Sequence, residues 1–513
     1  MNKKLGLLLL ISAAAITPAA AQDAKSLLQA ADKAIGASAV SSVTYAGSGT
    51  MRYPGQSFGP NDDWPGAPMT SYTATIDYGS KSAKADYMVD VAKKGRGGGL
   101  AQPHSTDFVS GTYAWNLNPQ GQPNPQPNAA DLRQFMVTIS PYGFIKAAMA
   151  ANDATFEQRT FNRLGEGVKT NVIGFTAGKY WITGEFDKDN LLERVVTRFP
   201  DPVLGDMAIE VRYTDWKDVG SGAKFPFHIH AHQGDHPLWP GGRNWFDIRV
   251  TDAKVNVPNA AQAVPDNVRN APAPQVRVAS QKLADGVWFI GGGSHNSVAV
   301  EFKDFVTVIE GPLNDARSNA VIAETHRLIP NKPIRYLVNT HHHFDHLGGI
   351  RAFVAEGATV IADNADRNFY ERVVLAPQPR TLGPDRLSKF PFAKTGPGTL
   401  ALQTFTDDYT IGDETRTIEL YHVQGLNHAS DMLMAYLPQS KILVNADLYS
   451  PPPQGGNLAN VGENAIVLFR NVKRLKLDVA QHVPIHGNPG PEADFERIVG
   501  PVAARTPAQG GGG

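Results

Sequence analysis

From Asn339 to Gly349 the chain reads Asn-Thr-His-His-His-Phe-Asp-His-Leu-Gly-Gly. His341, His343, Asp345 and His346 thus place four potential metal ligands within six residues. Imidazole and carboxylate groups cost free energy to bury unpaired, so a group this dense must face either solvent or a cation. Residues two apart in an extended segment point the same way, which aims His341 and His343 at one spot. Nitrogen and oxygen donors of this kind suit Zn²⁺, and they also accept iron or manganese. The chemistry on offer is the binding of a metal ion.

Several elements must position the cluster. Ile334-Arg335-Tyr336-Leu337-Val338, directly before it, is an apolar run that reads as a buried strand. After it, Leu347 to Val354 opens a helix, and Gly348 and Gly349 let backbone lie close to whatever sits at the strand end. Upstream, Gly286–Ile290, Ser297–Phe302 and Phe305–Ile309 are three closely spaced strands followed by a helical stretch from Asp315 to Leu328. Downstream, Thr359–Ala362, Thr417–Tyr421, Met432–Leu437, Ile442–Val444 and Gln481–Ile485 read as strands, with a helix from Asp366 and another near Glu463 to Leu475. Strands that are first consecutive and then alternate with helices predict an α/β layered domain over residues 276–501.

The first half has a different rhythm. An amphipathic helix from Lys25 closed by Gly36 precedes short alternating runs from Val43 to Val257. These predict a β-rich domain over residues 22–257, an antiparallel sheet with a helical stretch from Asp131 to Ala150. Tyr53 to Thr70 and Asn116 to Asn128, rich in Pro, Gly and Asn, read as surface loops. Residues 258–275 turn to Ala, Pro and Asn and read as a linker. Within the sheet, His228, His230 and His232 share one strand face; a solvated face is the expected reading and a second metal site the alternative.

The whole chain sets further bounds. Its 513 residues exceed one ordinary domain. Its 48 basic and 49 acidic residues nearly cancel, which gives no reason to expect a nucleic-acid partner. There is no cysteine, so disulfides are excluded and metal ligands must be histidine or carboxylate. Met1 to Lys4 is basic, Leu5 to Ile16 apolar, and Ala19-Ala20-Ala21 offers a small-residue cleavage site. Residues 1–21 therefore read as a signal peptide, and the protein as periplasmic or secreted. No later stretch is apolar enough for a membrane span. Residues 502–513, ending in four glycines, read as a disordered tail.

On the His-x-His-x-Asp-His pattern of His341, His343, Asp345 and His346, the second half resembles the metallo-beta-lactamase superfamily. Three later segments strengthen the resemblance: Asn427-His428, Ala446-Asp447 and Ile485-His486, each close behind an apolar strand. The resemblance spans about Val276 to Pro501 and implies an αββα sandwich, with the β-rich domain standing before it as an accessory unit. It implies that His341, His343 and His428 hold one metal, that Asp345, His346 and His486 hold the other, and that Asp447 bridges them. Two Zn²⁺ ions per chain follow as the default. His422 competes with His428, but it lies inside its strand and is the poorer candidate. Where the family often has Asp-Thr-Gly, this chain has Ile309-Glu310-Gly311, which makes Glu310 a candidate support for the ligand loop. The all-histidine-and-carboxylate set is closer to lactonases and glyoxalase II than to β-lactamases with a ligand cysteine.

A water between two cations loses its proton near neutral pH, since a metal lowers its pKa from 15.7 to about 7, and the resulting hydroxide attacks a polarised carbonyl or phosphoryl centre. Asp345 is the candidate catalytic residue; it either carries a proton or serves as a ligand alone. His295 and Asn296 are candidate substrate-binding residues because their loop borders the site in this superfamily, and Tyr449 is a third because, two residues past Asp447, it is a candidate donor to a developing oxyanion. Pro451 to Pro453 and Gln378 to Lys394 are candidate lid segments. The expected function is an exported dinuclear zinc hydrolase cleaving an ester, lactone or amide bond, a β-lactam included, in a small-molecule substrate. Two alternatives stand beside it. One is iron-dependent oxidation of a thiol-derived substrate on the same ligands. The other is a periplasmic binding or carrier protein in which the first domain holds an apolar ligand and the metal centre is vestigial.

Overall fold

The computed structural model describes residues 18–99, 102–163, 166–234, 242–376, 379–389, 401–453 and 456–506. Most of the expected signal peptide, the end of the tail, Gln378 and residues 390–394 of the expected lid lie outside the described residues. No described helix is long and apolar enough to cross a membrane.

The first half begins with the helix Pro18–Ile35, longer than the stretch expected from Lys25. It buries Ala24, Leu27, Leu28, Ala31 and Ile35, a three-and-four spacing that gives one apolar face. Gly36, at φ 75°, closes it in the left-handed conformation that glycine adopts without penalty. An antiparallel sheet of 13 described strands follows, in which the first long strand, Ser42–Arg52, pairs with the last, Arg243–Val255. Two meanders are thereby joined edge to edge. Period-two patterning makes these strands: Gly205–Asp218 buries Met207, Ile209, Val211 and Tyr213 and turns Glu210 and Arg212 to the opposite face.

The helical stretch from Asp131 is two helices, Ala130–Ile139 and Pro141–Ala150. Pro141 has no N–H to donate and holds Ser140 extended at ψ 159°, so the first helix must stop there. The second helix lays Phe144 against Phe175 and Phe186 of the sheet. A Cβ on Gly184 would fall 2.2 Å from the Phe144 ring, so glycine permits this approach. Residues 258–275 hold one helical turn, Asp266–Arg269.

The second half is the expected αββα sandwich. One sheet has seven described strands in the order of the sequence, Ala279–Ala284 through Leu402–Phe405; its first four are antiparallel and the rest parallel. The other has six, from Asp408–Gly412 to Gly490–Pro491. Their facing sides enclose Val298, Val300, Ile309, Val338 and Ile361 from the first and Ile418, Leu420, Leu433 and Val444 from the second. The alternate residues Ala299, Val308, Leu337 and Val360 point the other way, against Val321, Ile350 and Phe353 of the helices Asp315–Leu328 and Ile350–Glu356. Burial on both faces explains why these strands read as unbroken apolar runs.

That outer helical layer belongs to the same contiguous apolar cluster as the first domain's core. The junction is polar as well. Asp206 accepts from Thr381 N and Oγ1 at 2.9 and 2.6 Å and from Leu382 N at 3.0 Å. Arg380 donates to the carbonyls of Pro202 and Val203 at 2.8 Å each.

One expectation is overturned here. Tyr53 to Thr70 is not a surface loop: its last residues enter the strand Gly66–Asp77, and Ser57 and Trp64 are 2% and 1% exposed. The loop lies on the second domain's histidine-rich segment, with Phe344 N donating to Gly55 O at 3.1 Å and Ser430 N to Phe58 O at 2.8 Å.

Candidate metal centre

The strand Ile334–Val338 delivers Asn339 to His343, and the short helix Phe344–Leu347 turns Asp345 and His346 back toward the same strand end. Buried carboxylate and amide groups hold this segment. Glu310 Oε1 accepts from Asn339 Nδ2 at 2.8 Å and Thr340 N at 3.3 Å. Its Oε2 accepts from Thr340 Oγ1 at 2.7 Å and His346 Nδ1 at 2.9 Å. Glu310 therefore takes the supporting role expected of it, at φ 78° and with no exposure. Leu433 N, donating to Thr340 O at 2.8 Å, ties the segment to the opposite sheet.

The ligand candidates converge in two groups whose donor atoms lie within 4.8 Å of one another: His341, His343, His428 and Asp447, and His295, Asp345, His346 and His486. Asp447 stands between them. Its Oδ2 is 2.7 Å from His428 Nε2 and 3.7 Å from His341 Nε2. Its Oδ1 is 2.7 Å from His486 Nε2 and 3.2 Å from His346 Nε2. The residue adopts φ 54°, uncommon outside glycine, with its carbonyl held by Asn464 Nδ2 at 2.8 Å.

The nitrogens facing away from this point have partners of their own. His343 Nε2 donates to Ser57 O at 2.9 Å, and His486 Nδ1 donates to Ser294 O at 2.9 Å. Each bond leaves the other nitrogen as a lone pair facing the cluster, the tautomer a metal ligand needs. Burial, reinforced by neighbouring imidazoles, pushes His341 and His343 well below the usual histidine range, so both are neutral. Burial opposes charge on His346 too, but Asp447 and Glu310 outweigh it and favour a positive ring.

A cation fits these residues. His428 Nε2 and Asp447 Oδ1 are buried without a hydrogen-bond partner, although each is near other donor atoms. Atoms crowded together and aimed at one point without bonding geometry are what coordination demands and hydrogen bonding does not.

Asp345 is held from three sides. Gln56 Nε2 donates to its Oδ1 at 2.7 Å; its Oδ2 lies 3.2 Å from His295 Nε2 and 3.8 Å from His346 Nε2. Burial pushes this carboxyl up, but the His295 bond and the His346 charge pull it well below the usual carboxylate range. Gln56 comes from the first domain, as does Ser57, whose Oγ is 3.2 Å from His342 Nε2. Gly98 of that domain also closes on the centre: a Cβ there would lie 2.5 Å from His343 Cε1.

The remaining sequence candidates fall in different places. His295, expected at the substrate, sits among the possible ligands, its ring carried on a loop whose carbonyl accepts from Arg317 Nη2 at 2.8 Å. Asn296 donates its amide to Gly487 O at 2.7 Å and Pro484 O at 3.2 Å, bracing the loop that bears His486. Tyr449 is packed against Phe495 at 4.6 Å and His482 at 5.5 Å and is not brought to the cluster. His422 pairs with Asp363 at 3.0 Å, apart from both ligand groups. His342 turns away from the ligands to Asp431, 2.8 Å from its Nδ1. On the first domain's outer strand face, His228 and His230 share Asp247 Oδ2 at 2.7 Å each, and His232 lies 2.9 Å from His230. These partly buried rings form a hydrogen-bonded chain from Asp247 to Glu210.

Gln56 and Ser57 were not legible as site residues. The available signal was Trp64 and Phe58 within a polar loop, since a large aromatic in such a stretch usually has something to pack on. Trp64 packs edge-on to Phe344 at 6.5 Å.

A family model described as the metallo-beta-lactamase superfamily matches residues 290–476. A linear primary-alkylsulfatase from a Pseudomonas species is 26% identical over 226 residues, covering 37% of this chain and 41% of that protein. The chain thus spans less than half the length of this curated relative. Among solved structures, a metallo-beta-lactamase from Pontibacter korlensis is 20% identical, with 45% of this chain and 100% of that one covered, at a TM-score of 0.33. Another, from Pseudomonas aeruginosa in a mono-zinc form, is 19% identical, with 44% and 97% covered, also at 0.33.

Proposed function

Because residues 290–476 form a metallo-beta-lactamase superfamily domain, we propose that this protein is an exported dinuclear zinc hydrolase cleaving an ester, lactone or amide bond in a small molecule. The observation that carries the reading is Asp447, whose two carboxylate oxygens each face a separate group of histidines. His341, His343 and His428 would hold one ion; Asp345, His346 and His486 the other, with His295 beside them. Zinc is preferred because hydrolysis needs no redox change and the donor set is imidazole and carboxylate. When bound, such ions supply Lewis-acid polarisation and acidify water to a pKa of about 7.

The chain's own residues do the rest. Asp345, ionised and fixed by Gln56 and His295, orients the reacting groups and is placed to accept a proton and hand it to the leaving group. Glu310 fixes the His346 ring through Nδ1, which aims Nε2 at Asp447. The first domain's loop covers His343 from one side and so limits water on that flank.

The test is elemental analysis of the purified protein together with a substrate panel of carboxylic ester, lactone and β-lactam. The alkylsulfatase likeness adds a sulfate ester to it. Two zincs per chain, with turnover lost in chelator and restored by zinc, support the reading. Iron would favour oxidation, and full zinc without turnover of any compound would favour a binding protein.

A further inference from the structure

Inside the first domain, between its sheet and the helices Ala130–Ile139 and Pro141–Ala150, lies a cavity of about 460 Å³. None of the candidate ligands lines it. Packed interiors hold few voids larger than a water molecule, whereas small-molecule sites run from roughly 300 to 1,000 Å³.

The space is held open by small residues at inward strand positions. Ala74 pairs directly with Ala85, and Ile76 with Ala83, on adjacent strands. Alanine is depleted in strands because it packs poorly there, so alanines facing one interior leave room that larger side chains would fill. Met51, Met69, Leu132, Met136, Ile229 and Ile248 make up much of the wall. The methionines are flexible and polarizable, suited to irregular apolar contact.

Arg133, Asp107, Tyr213 and Ser140 on the wall are already engaged. Arg133 donates to the carbonyls of Phe108 and Trp115 at 3.0 Å each and pairs with Asp107 at 3.3 Å. Tyr213 donates to Ile139 O at 2.7 Å, and Ser140 to Val137 O at 2.6 Å. A polar ligand entering here would lose its water and find little in exchange.

Length sets the shape. Tyr45 and Met51 both line the cavity and are six residues apart on one strand, about 20 Å at 3.4 Å per residue. A void reaching that far along the strand accommodates an extended hydrocarbon chain. We propose that this cavity binds a single unbranched alkyl or acyl chain. The assignment stands on the first domain alone and does not depend on the metal centre being active.

The test uses the full chain in excess chelator, so that turnover cannot contribute. Octanoate, decanoate and dodecanoate are titrated in by calorimetry, with tryptophan fluorescence followed in parallel because Trp245 lines the cavity. One site per chain is expected, each added methylene tightening binding about 1.5- to fourfold, the upper value being about 0.8 kcal/mol per buried CH₂. Ala85→Phe and the milder Ala74→Leu fill the space and should weaken dodecanoate at least tenfold. Replacing Trp181, which is 50% exposed, with alanine should change nothing. An adamantane carboxylate should bind far more weakly than decanoate. Absence of saturable binding, no dependence on chain length, or equal binding of the adamantane acid would overturn the proposal. So would undiminished binding in a filled variant that melts as the parent does. Should both filled variants fail to fold, chain length and ligand shape still decide.

Discussion

Replacing Gln56 with alanine tests whether the first domain works in the metal centre or merely leans on it. The side chain makes a 2.7 Å bond to Asp345 Oδ1, and Asp345 is the carboxylate assigned to orientation and proton movement. A hydrogen bond to a charged group contributes about 1.5–3 kcal/mol. Loss of a partner that orients a ligand typically costs about 10- to 100-fold in affinity or activity. The lower half of that range follows here, about 10- to 30-fold, because His295 and His346 still hold Asp345 ionised from its other side. Turnover on the best substrate of the panel should fall by that factor through kcat more than KM, and the chelator concentration that removes half the metal should fall similarly. The melting temperature should move only a few degrees, since no apolar burial is lost. Gln56→Glu should be worse, because it sets a second carboxylate against the first. Wild-type kcat and chelator resistance in a folded Gln56→Ala protein would show that the loop is packing only, and would refute the reasoning.

Glu310→Gln keeps the shape but turns an amide N–H toward groups that themselves donate. It should cost about 1.5–3 kcal/mol in denaturant unfolding and release metal at 10- to 100-fold lower chelator; an unchanged unfolding midpoint would contradict this. Arg380→Ala strips the donor from the carbonyls of Pro202 and Val203 and leaves Asp385 with one fewer buried cation. Unfolding should weaken by about 3–5 kcal/mol, and a loss under 1 kcal/mol would mean that the apolar junction alone holds the domains. Glu210 tests acid sensitivity: burial raises its carboxyl, but bonds from His232 and Arg212 and the Arg194 charge win and hold it at about 2, against 4.5 ordinarily. A carboxyl depressed in the folded state stabilises above its unfolded value and loses that contribution as pH falls toward 2. The stability gap between parent and Glu210→Gln should therefore be full at pH 5 and close progressively below about 4.5; a gap independent of pH would contradict the assignment.

The second domain was readable because both of its sheets are buried on two sides. Continuous apolar runs such as Ile334–Val338 and Ile442–Asn445 carry their candidate ligands just past their ends, where composition changes abruptly. The antiparallel class of the first domain was readable from period-two alternation, though not the size of the sheet, since pairing of Ser42–Arg52 with Arg243–Val255 links residues about two hundred apart. Local composition carries no record of such a partner. The same limit hid Gln56: a Pro- and Gly-rich stretch looks solvent-exposed when its cover comes from a different domain. His295 was singled out from its loop position, but the neighbour that defines its chemistry, Asp345, lies fifty residues downstream. Tyr449 shows the converse, a residue two positions from a ligand whose ring is directed into the core beside Phe495.

The bond from Gln56 to Asp345 closes a loop of 289 residues, and Ser57 reaches His343 across 286. A ribosome emits those partners far apart in time, so the metal pocket is among the last features of the molecule to be finished. On the proposed metal centre, the choice between zinc, iron and manganese would then be made wherever folding ends, against the ions present there, and not where synthesis begins. Protein refolded in one metal and protein harvested from cells can carry different ions on identical side chains, which makes the history of a preparation part of its chemistry.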